Sequence, residues 1–264
     1  MIGKGAMADV YRALDLHTQA FVALKVLRHT HIADFVSLAR FQREGEIQAR
    51  LRHRNVAALL ASGITHERQP YLAVELLRGK SLRSVIKTEG RVAPRRAASF
   101  AWQALHGLSA IHAAGVLHRD LKPANIMLEP SPGPIERVVL IDFGFATFEG
   151  SAKLTAAGTV IGSLTYIAPE RLRGEGTDQR ADLYAIGVIL FELLTGAPPF
   201  TSKDDLDLID MHVNQEPPQL RDIDPTLPES LEAVIWHALA KHPEERCRDA
   251  AAMAGQLDIA AQQL

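Results

Sequence analysis

The sequence predicts an α+β fold in two parts, a small β-rich lobe followed by a larger helical one. Short apolar runs separated by polar turns crowd the first third of the chain. Longer runs with a period near 3.6 fill the remainder. Between them Arg78-Gly79-Lys80 breaks the pattern, so the join falls near Leu77 to Gly79. With 264 residues and roughly 150 per domain, one large domain or two lobes is expected. Hydrophobic residues make up 47% and charged residues 23%, enough apolar material for a sizeable core and too much for a disordered chain.

Taken in order, Asp9 to Leu14 and Phe21 to Leu27 are expected to form a β-hairpin around a turn at His17-Thr18-Gln19. Ala33 to Arg54 reads as a helix with Phe35, Leu38, Phe41, Ile47 and Leu51 inward. Val56 to Ile64 and Tyr71 to Leu76 read as further strands. Pro94 opens a helix carrying Phe100, Leu105, Leu108 and Ile111, which Gly115 stops. Asn125 to Leu128 and Val138 to Ile141 are apolar runs able to pair. Asp182 to Thr195 is apolar nearly all round, the mark of a buried helix, and Leu231 to Ala240 is a further amphipathic one.

Net charge is −2, so no basic excess points to nucleic acid and no acidic tail to a basic partner. The single cysteine, Cys247, cannot form an internal disulfide. The apolar run Tyr184 to Leu194 is interrupted by Glu192 and too short to span a bilayer, and the N-terminus has no signal-peptide core. A soluble, cytoplasmic protein without membrane contact of its own is the expectation. The eleven histidines show no zinc-ligand spacing, and His106 and His112 read as helix residues, not ligands.

Gly3-Lys4-Gly5 between short strands lets backbone N–H groups approach a phosphate. A dinucleotide site of the Gly-x-Gly-x-x-Gly kind needs a helix next, but Val10 to Ala13 reads as a strand, and Ala8 replaces the third glycine. Gly79-Lys80-Ser81 mimics the end of a phosphate-binding P-loop, yet Val74 stands where that loop needs its first glycine. Lys25, in Val22-Ala23-Leu24-Lys25, is either an edge-strand lysine reaching solvent or a cation held for phosphate by a carboxylate. Glu44 is the natural partner and Glu46 the fallback. In His118-Arg119-Asp120-Leu121-Lys122-Pro123-Ala124-Asn125, Pro123 excludes a regular helix. A carboxylate, an amine and an amide therefore share one short loop. Asp142-Phe143-Gly144 follows a strand and suits a hard divalent cation.

These elements, with Ala168-Pro169-Glu170 and Asp182 and Gly187 in the buried helix, occur in the order and spacing of one family. From Ile2 to about Arg246 the chain resembles a eukaryotic-type (Hanks-type) protein kinase catalytic domain, most similar to the bacterial serine/threonine kinases. The resemblance implies a bilobal kinase-like fold, with 1–77 as the small lobe and 78–264 as the large one. It implies ATP and Mg²⁺ as cofactors and protein substrates with Ser/Thr acceptors. Ile2, Gly3, Gly5 and Val10 would cover the nucleotide; Ile2, Val10, Ala23 and Val74 would sandwich adenine; Glu75 and Leu77 would bond it through their backbone. Lys25, held by Glu44, would contact the α- and β-phosphates. Asp120 would accept the hydroxyl proton, Lys122 would neutralise the transferring group, and Asn125 and Asp142 would hold Mg²⁺.

The resemblance further implies an activation segment from Asp142 to Glu170, autophosphorylation at Thr155 or Thr159 answered by Arg119, and self-association for phosphorylation in trans. Ser163 and Lys122 favour Ser/Thr over Tyr acceptors; Thr165 is a further hydroxyl in the segment. Glu170 would pair with Arg246, and Asp182 would brace the His118-Arg119 backbone. Relative to the family the chain starts just before the glycine turn, and a shortened first strand would weaken the lid over ATP. Two alternatives stay open. A pseudokinase would use the fold without chemistry, although Lys25, Asp120 and Asp142 are all present. A small-molecule kinase fits less well with the Ala-Pro-Glu segment.

Overall fold

Phe21–Leu27, with Val22, Ala23, Val26 and Leu27 buried, is the middle strand of a sheet that packs on one helix. The computed structural model describes residues 1–5, 7–133, 135–142 and 164–264. Its first sheet has five antiparallel strands in the order β1-β2-β3-β5-β4: β1 Gly3–Lys4, β2 Ala8–Leu14, β3 Phe21–Leu27, β4 Leu59–Ile64 and β5 Pro70–Glu75. The expected hairpin is β2–β3. Asp15 closes its turn, accepting from the Thr18 hydroxyl at 2.7 Å and from His17 N–H at 2.9 Å. Lys25 is therefore on a central strand, flanked by β2 and β5, which removes the edge-strand alternative.

A single turn, α1 (His29–Ile32), leads to α2 (Phe35–Arg50), whose first N–H groups are capped by the Asp34 carboxylate. This helix is shorter than expected. Leu51 is already extended, and Phe35 is 85% exposed because it precedes the stretch that meets the sheet. Phe41 packs with Ala8, Leu27 and Leu72 in the small lobe's core. Ala8 fills space there that a glycine would leave empty. Gly45 lets α2 lie tightly on β5, since a Cβ would sit 2.7 Å from Leu72 Cδ2. The expected strand from Val56 begins only at Leu59. Residues 55–57 instead dock on the second sheet, with Ala57 N–H donating to Leu140 O at 2.9 Å and Asn55 Nδ2 to Val138 O at 2.7 Å.

That second sheet is β6 (Lys80–Ser81), β7 (Ile126–Glu129) and β8 (Arg137–Leu140). Between the sheets Gly79 crosses so close to β7 that a Cβ would fall 1.7 Å from Leu128 O, and its N–H is taken by the Glu129 carboxylate. The helices are α3 (Leu82–Glu89), α4 (Pro94–Ala113), α5 (Pro169–Arg173), α6 (Arg180–Thr195), α7 (Asp205–Asn214), α8 (Leu220–Ile223), α9 (Glu229–Ala238) and α10 (Ala250–Ala261). Thirteen of the sixteen residues of α6 are buried, as a helix apolar all round requires, with α4, α9 and α10 packed in the same core. No helix among the described residues is long and apolar enough to cross a membrane.

Candidate active site

Register places the first group of residues. Val10 lies opposite Lys25, Lys25 opposite Leu72, and Ala23 opposite Val74. Directly paired residues share a sheet face, so Val10, Ala23, Lys25 and Val74 line the side that carries α2. Glu44 lies three residues after Phe41 and four before Gln48, on the helix face that meets this sheet. The Lys25 ammonium sits 2.5 Å from Glu44 Oε1 and 2.9 Å from Asp142 Oδ1. Glu46, the fallback partner, faces outward toward Arg43 at 3.6 Å.

Burial works against the Lys25 charge, but the two carboxylates outweigh it and hold its pKa above the ordinary lysine value. Burial pushes the Glu44 carboxyl up, against the pull of Lys25. About half of the Asp142 side chain is accessible, yet its carboxylate meets protein closely enough for desolvation to oppose ionisation. The Lys25 charge prevails and holds Asp142 below its usual range.

A second group is built on the loop between α4 and β7. Lys122 Nζ reaches both Asp120 oxygens, at 2.9 and 2.7 Å. Asn125 Nδ2 donates to Asp120 O at 2.7 Å and to Asp120 Oδ2 at 2.9 Å, which fixes the amide and leaves its oxygen without a partner among the described residues. Ile141 N–H donates to Asn125 O at 3.0 Å. That bond sets Asp142 beside the loop while its carboxylate reaches the Lys25 ammonium. Lys25 and Asp142 are thus joined to the Asp120 loop through the backbone bond between Ile141 and Asn125.

Two residues of this site have left-handed backbone, Arg119 at φ 65° and Asp142 at φ 52°. Such conformations in non-glycine residues cost on the order of 1–3 kcal/mol and persist only where surroundings impose them. At Arg119 the surroundings are visible. Asp182, near the start of α6, accepts from His118 N–H and Arg119 N–H, both at 2.9 Å. Its burial disfavours the charge, but the hydrogen bonds from His112 and from the Arg119 N–H keep the carboxyl below its usual pKa. His112 Nε2 is 2.8 Å from Asp182 Oδ2. The sequence reading gave His112 no partner. The available signal was its place after Leu105 and Leu108 on the buried face of α4, where a polar ring needs one.

Glu170 and Arg246 form a buried pair with two contacts of 2.8 Å, as the resemblance implied. Gly3 begins β1, Ile2 N–H donates to Val10 O at 2.8 Å, and Gly5 N–H donates to Ala8 O at 2.9 Å, so the glycine turn folds back on β2. Glu75 ends β5; its carboxylate is held by Arg137 at 2.8 Å and Ala58 N–H at 3.0 Å. Leu77 lies in the connection to β6. Gly144, Thr155, Thr159 and Ser163 lie outside the described residues; Thr165 sits in the short turn Leu164–Tyr166.

Comparison with known proteins agrees with this architecture. The profile of the protein kinase domain family matches residues 1–256. Serine/threonine-protein kinase pkn3 of Myxococcus xanthus is 40% identical over 97% of this chain and 48% of its own length. Serine/threonine-protein kinase PknE of Mycobacterium tuberculosis is 37% identical over 96% of this chain and 44% of its own. The chain spans about half the length of the curated relatives it matches. The crystal structure of the Mycobacterium tuberculosis PknI kinase domain aligns with a TM-score of 0.73 and 28% identity, over 98% of this chain and 93% of that one. The β-sheet lobe, the helical lobe and the sequence match carry one conclusion: the chain belongs to the protein kinase domain family.

Proposed function

We propose that the chain is an ATP-dependent serine/threonine protein kinase, with residues 1–77 and 78–264 as its lobes. The observation that supports this best is the pair of linked groups: Glu44 and Asp142 hold Lys25, and the Ile141 N–H bond to Asn125 O sets Asp142 beside the Asn125–Asp120–Lys122 loop. In this reading Ile2, Gly3, Gly5 and Val10 cover the nucleotide. Val10, Ala23 and Val74 take the adenine on the sheet face that carries Lys25, and the Glu75 and Leu77 backbone bonds its edge.

Phosphoryl transfer asks for position and charge neutralisation more than covalent help. Glu44 orients Lys25, whose ammonium meets the α- and β-phosphates. Asp120 takes the proton of a Ser or Thr hydroxyl as that oxygen bonds to the γ-phosphorus and the bridge to ADP breaks. Lys122, already on Asp120, neutralises charge on the transferred group. The Asp142 carboxylate and the Asn125 amide oxygen are hard oxygen donors, the kind that bind Mg²⁺ together with phosphates. Such an ion would neutralise charge on the phosphate oxygens. We extend the reading to autophosphorylation at Thr155 or Thr159 by a second copy, with Arg119 receiving the phosphate.

The test is transfer of a radiolabelled γ-phosphoryl group from ATP to a generic protein substrate, with Asp120→Asn as control. Labelling by the wild type alone supports the reading, and equal labelling rejects it. A thermal shift with ATP and Mg²⁺ but no transfer would point to a pseudokinase.

A further inference from the structure

The resemblance and the proposed chemistry leave one charged side chain under the catalytic loop unused. Arg171 is the second residue after Pro169, in the five-residue helix α5. It is half-buried, and its Nη1 donates to Arg119 O at 2.6 Å. A short contact from a guanidinium to a carbonyl is a charge-assisted hydrogen bond, stronger than its neutral equivalents. Burial opposes the Arg171 charge and Arg119 repels it, while Asp182, Asp120 and Glu170 are the carboxylates near enough to sustain it.

The acceptor matters more than the bond. Arg119 has the left-handed backbone described above, and it immediately precedes Asp120. Its N–H is held by Asp182 from α6, and its carbonyl by Arg171 from α5. Asp120 N–H then turns back to His118 O at 2.9 Å. The strained residue is thus gripped on both sides by two successive helices that lie far from it in sequence. The α5 grip is itself anchored, because Glu170, one residue before Arg171, is locked by Arg246. Releasing the carbonyl would let Arg119 relax toward an ordinary conformation, and such a rotation swings the Asp120 carboxylate.

We propose that Arg171 is a positioning residue, holding the Arg119 carbonyl so that Asp120 keeps its orientation toward the acceptor hydroxyl. It acts through the loop and not on the nucleotide. The inference rests on the kinase reading above.

The experiment compares Arg171→Met and Arg171→Lys with the wild type in steady-state phosphorylation of a protein substrate. ATP and Mg²⁺ binding is followed separately by thermal shift. Arg171→Met should lower kcat at least tenfold, leave KM for ATP within twofold and leave the nucleotide thermal shift unchanged. Arg171→Lys, which keeps a donor on a flexible stem, should recover part of kcat. Combining Arg171→Met with Asp182→Asn should cost less than the product of the single effects, because both grips act on one residue. A kcat within twofold of wild type in Arg171→Met overturns the inference. So does a loss confined to KM for ATP, or a failure of both Arg171 variants to fold, since that would make the residue structural. An inactive wild type would instead sink the kinase reading itself, which keeps the two failures distinguishable.

Discussion

Replacing Arg246 by methionine is the most demanding test of how the large lobe is held together. Glu170 and Arg246 are 1% and 0% exposed and meet through two contacts of 2.8 Å. The guanidinium also donates to Ala240 O at 2.8 Å and to Arg180 O at 3.1 Å, so four acceptors in three segments depend on it. Removing one partner of a buried ion pair costs about 3–5 kcal/mol, chiefly because the other charge stays buried alone. Against a domain stability of about 5–15 kcal/mol, that is a large fraction.

Arg246→Met should therefore shift the urea midpoint down by about 1 M or more, at a slope near 3 kcal/mol per M. Glu170→Gln should cost less, because the amide oxygen still accepts one N–H and the two carbonyls keep theirs. Glu170→Leu combined with Arg246→Met should recover only part of the loss, since the apolar pair leaves Ala240 O and Arg180 O unsatisfied at about 1–3 kcal/mol each. The assay is equilibrium urea unfolding followed by tryptophan fluorescence and circular dichroism together. A loss below about 1 kcal/mol in Arg246→Met, or a larger loss in Glu170→Gln, would refute the reasoning.

Other perturbations have equally definite outcomes. Glu44→Gln should lower kcat/KM by about 10- to 100-fold, because a misplaced Lys25 loses its alignment, while Glu46→Gln should stay within twofold; parity between the two would remove Glu44 from its role. Gly79→Ala should destabilise by at least about 2 kcal/mol, because the added carbon meets backbone and not a flexible side chain, whereas Gly133→Ala, with open space around its Cβ, should be neutral in the same thermal melt. His212 is wholly buried, and burial, aided by the Lys241 charge, lowers its pKa to about 4. Between pH 6.5 and 4 the unfolded chain binds a proton there that the folded protein refuses, so stability falls as pH drops through this window, by up to about 3 kcal/mol. His212→Gln should flatten that part of the stability profile; an unchanged slope would show that other groups govern it.

The strongest periodic signals located their elements well. The β2–β3 and β7–β8 hairpins, α4 and the buried α6 stand where short apolar runs, a helical period or all-round apolarity placed them. Weaker signals were missed for physical reasons. Helix α3 has eight residues and only Leu82 and Val85 buried, too few for a period. In α10 alanine occupies inner and outer faces alike, which erases the contrast that marks a buried stripe. The extended segment after Asn55 looked like strand because Val56 and Ala57 are apolar, but their burial comes from docking on β8.

At the candidate site, side-chain chemistry was legible and backbone chemistry was not. Glu44 could be preferred to Glu46 because a helical period places it on the same face as Phe41. The Arg171 contact ends on a carbonyl, which every residue carries, so no residue type could announce it. Gly45 gave a faint signal, a glycine inside a helix, whose reason is the approach of Leu72.

The central claim is that Lys25, Asp120 and Asp142 converge to move a phosphoryl group from ATP to a hydroxyl. Mass spectrometry of the purified protein, incubated with ATP and Mg²⁺ beside a generic protein substrate, tests it most directly. The account predicts new phosphate on serine or threonine with the wild type and none with Asp120→Asn. Phosphate on neither protein, phosphate confined to tyrosine, or equal phosphate with the Asp120→Asn variant would contradict it.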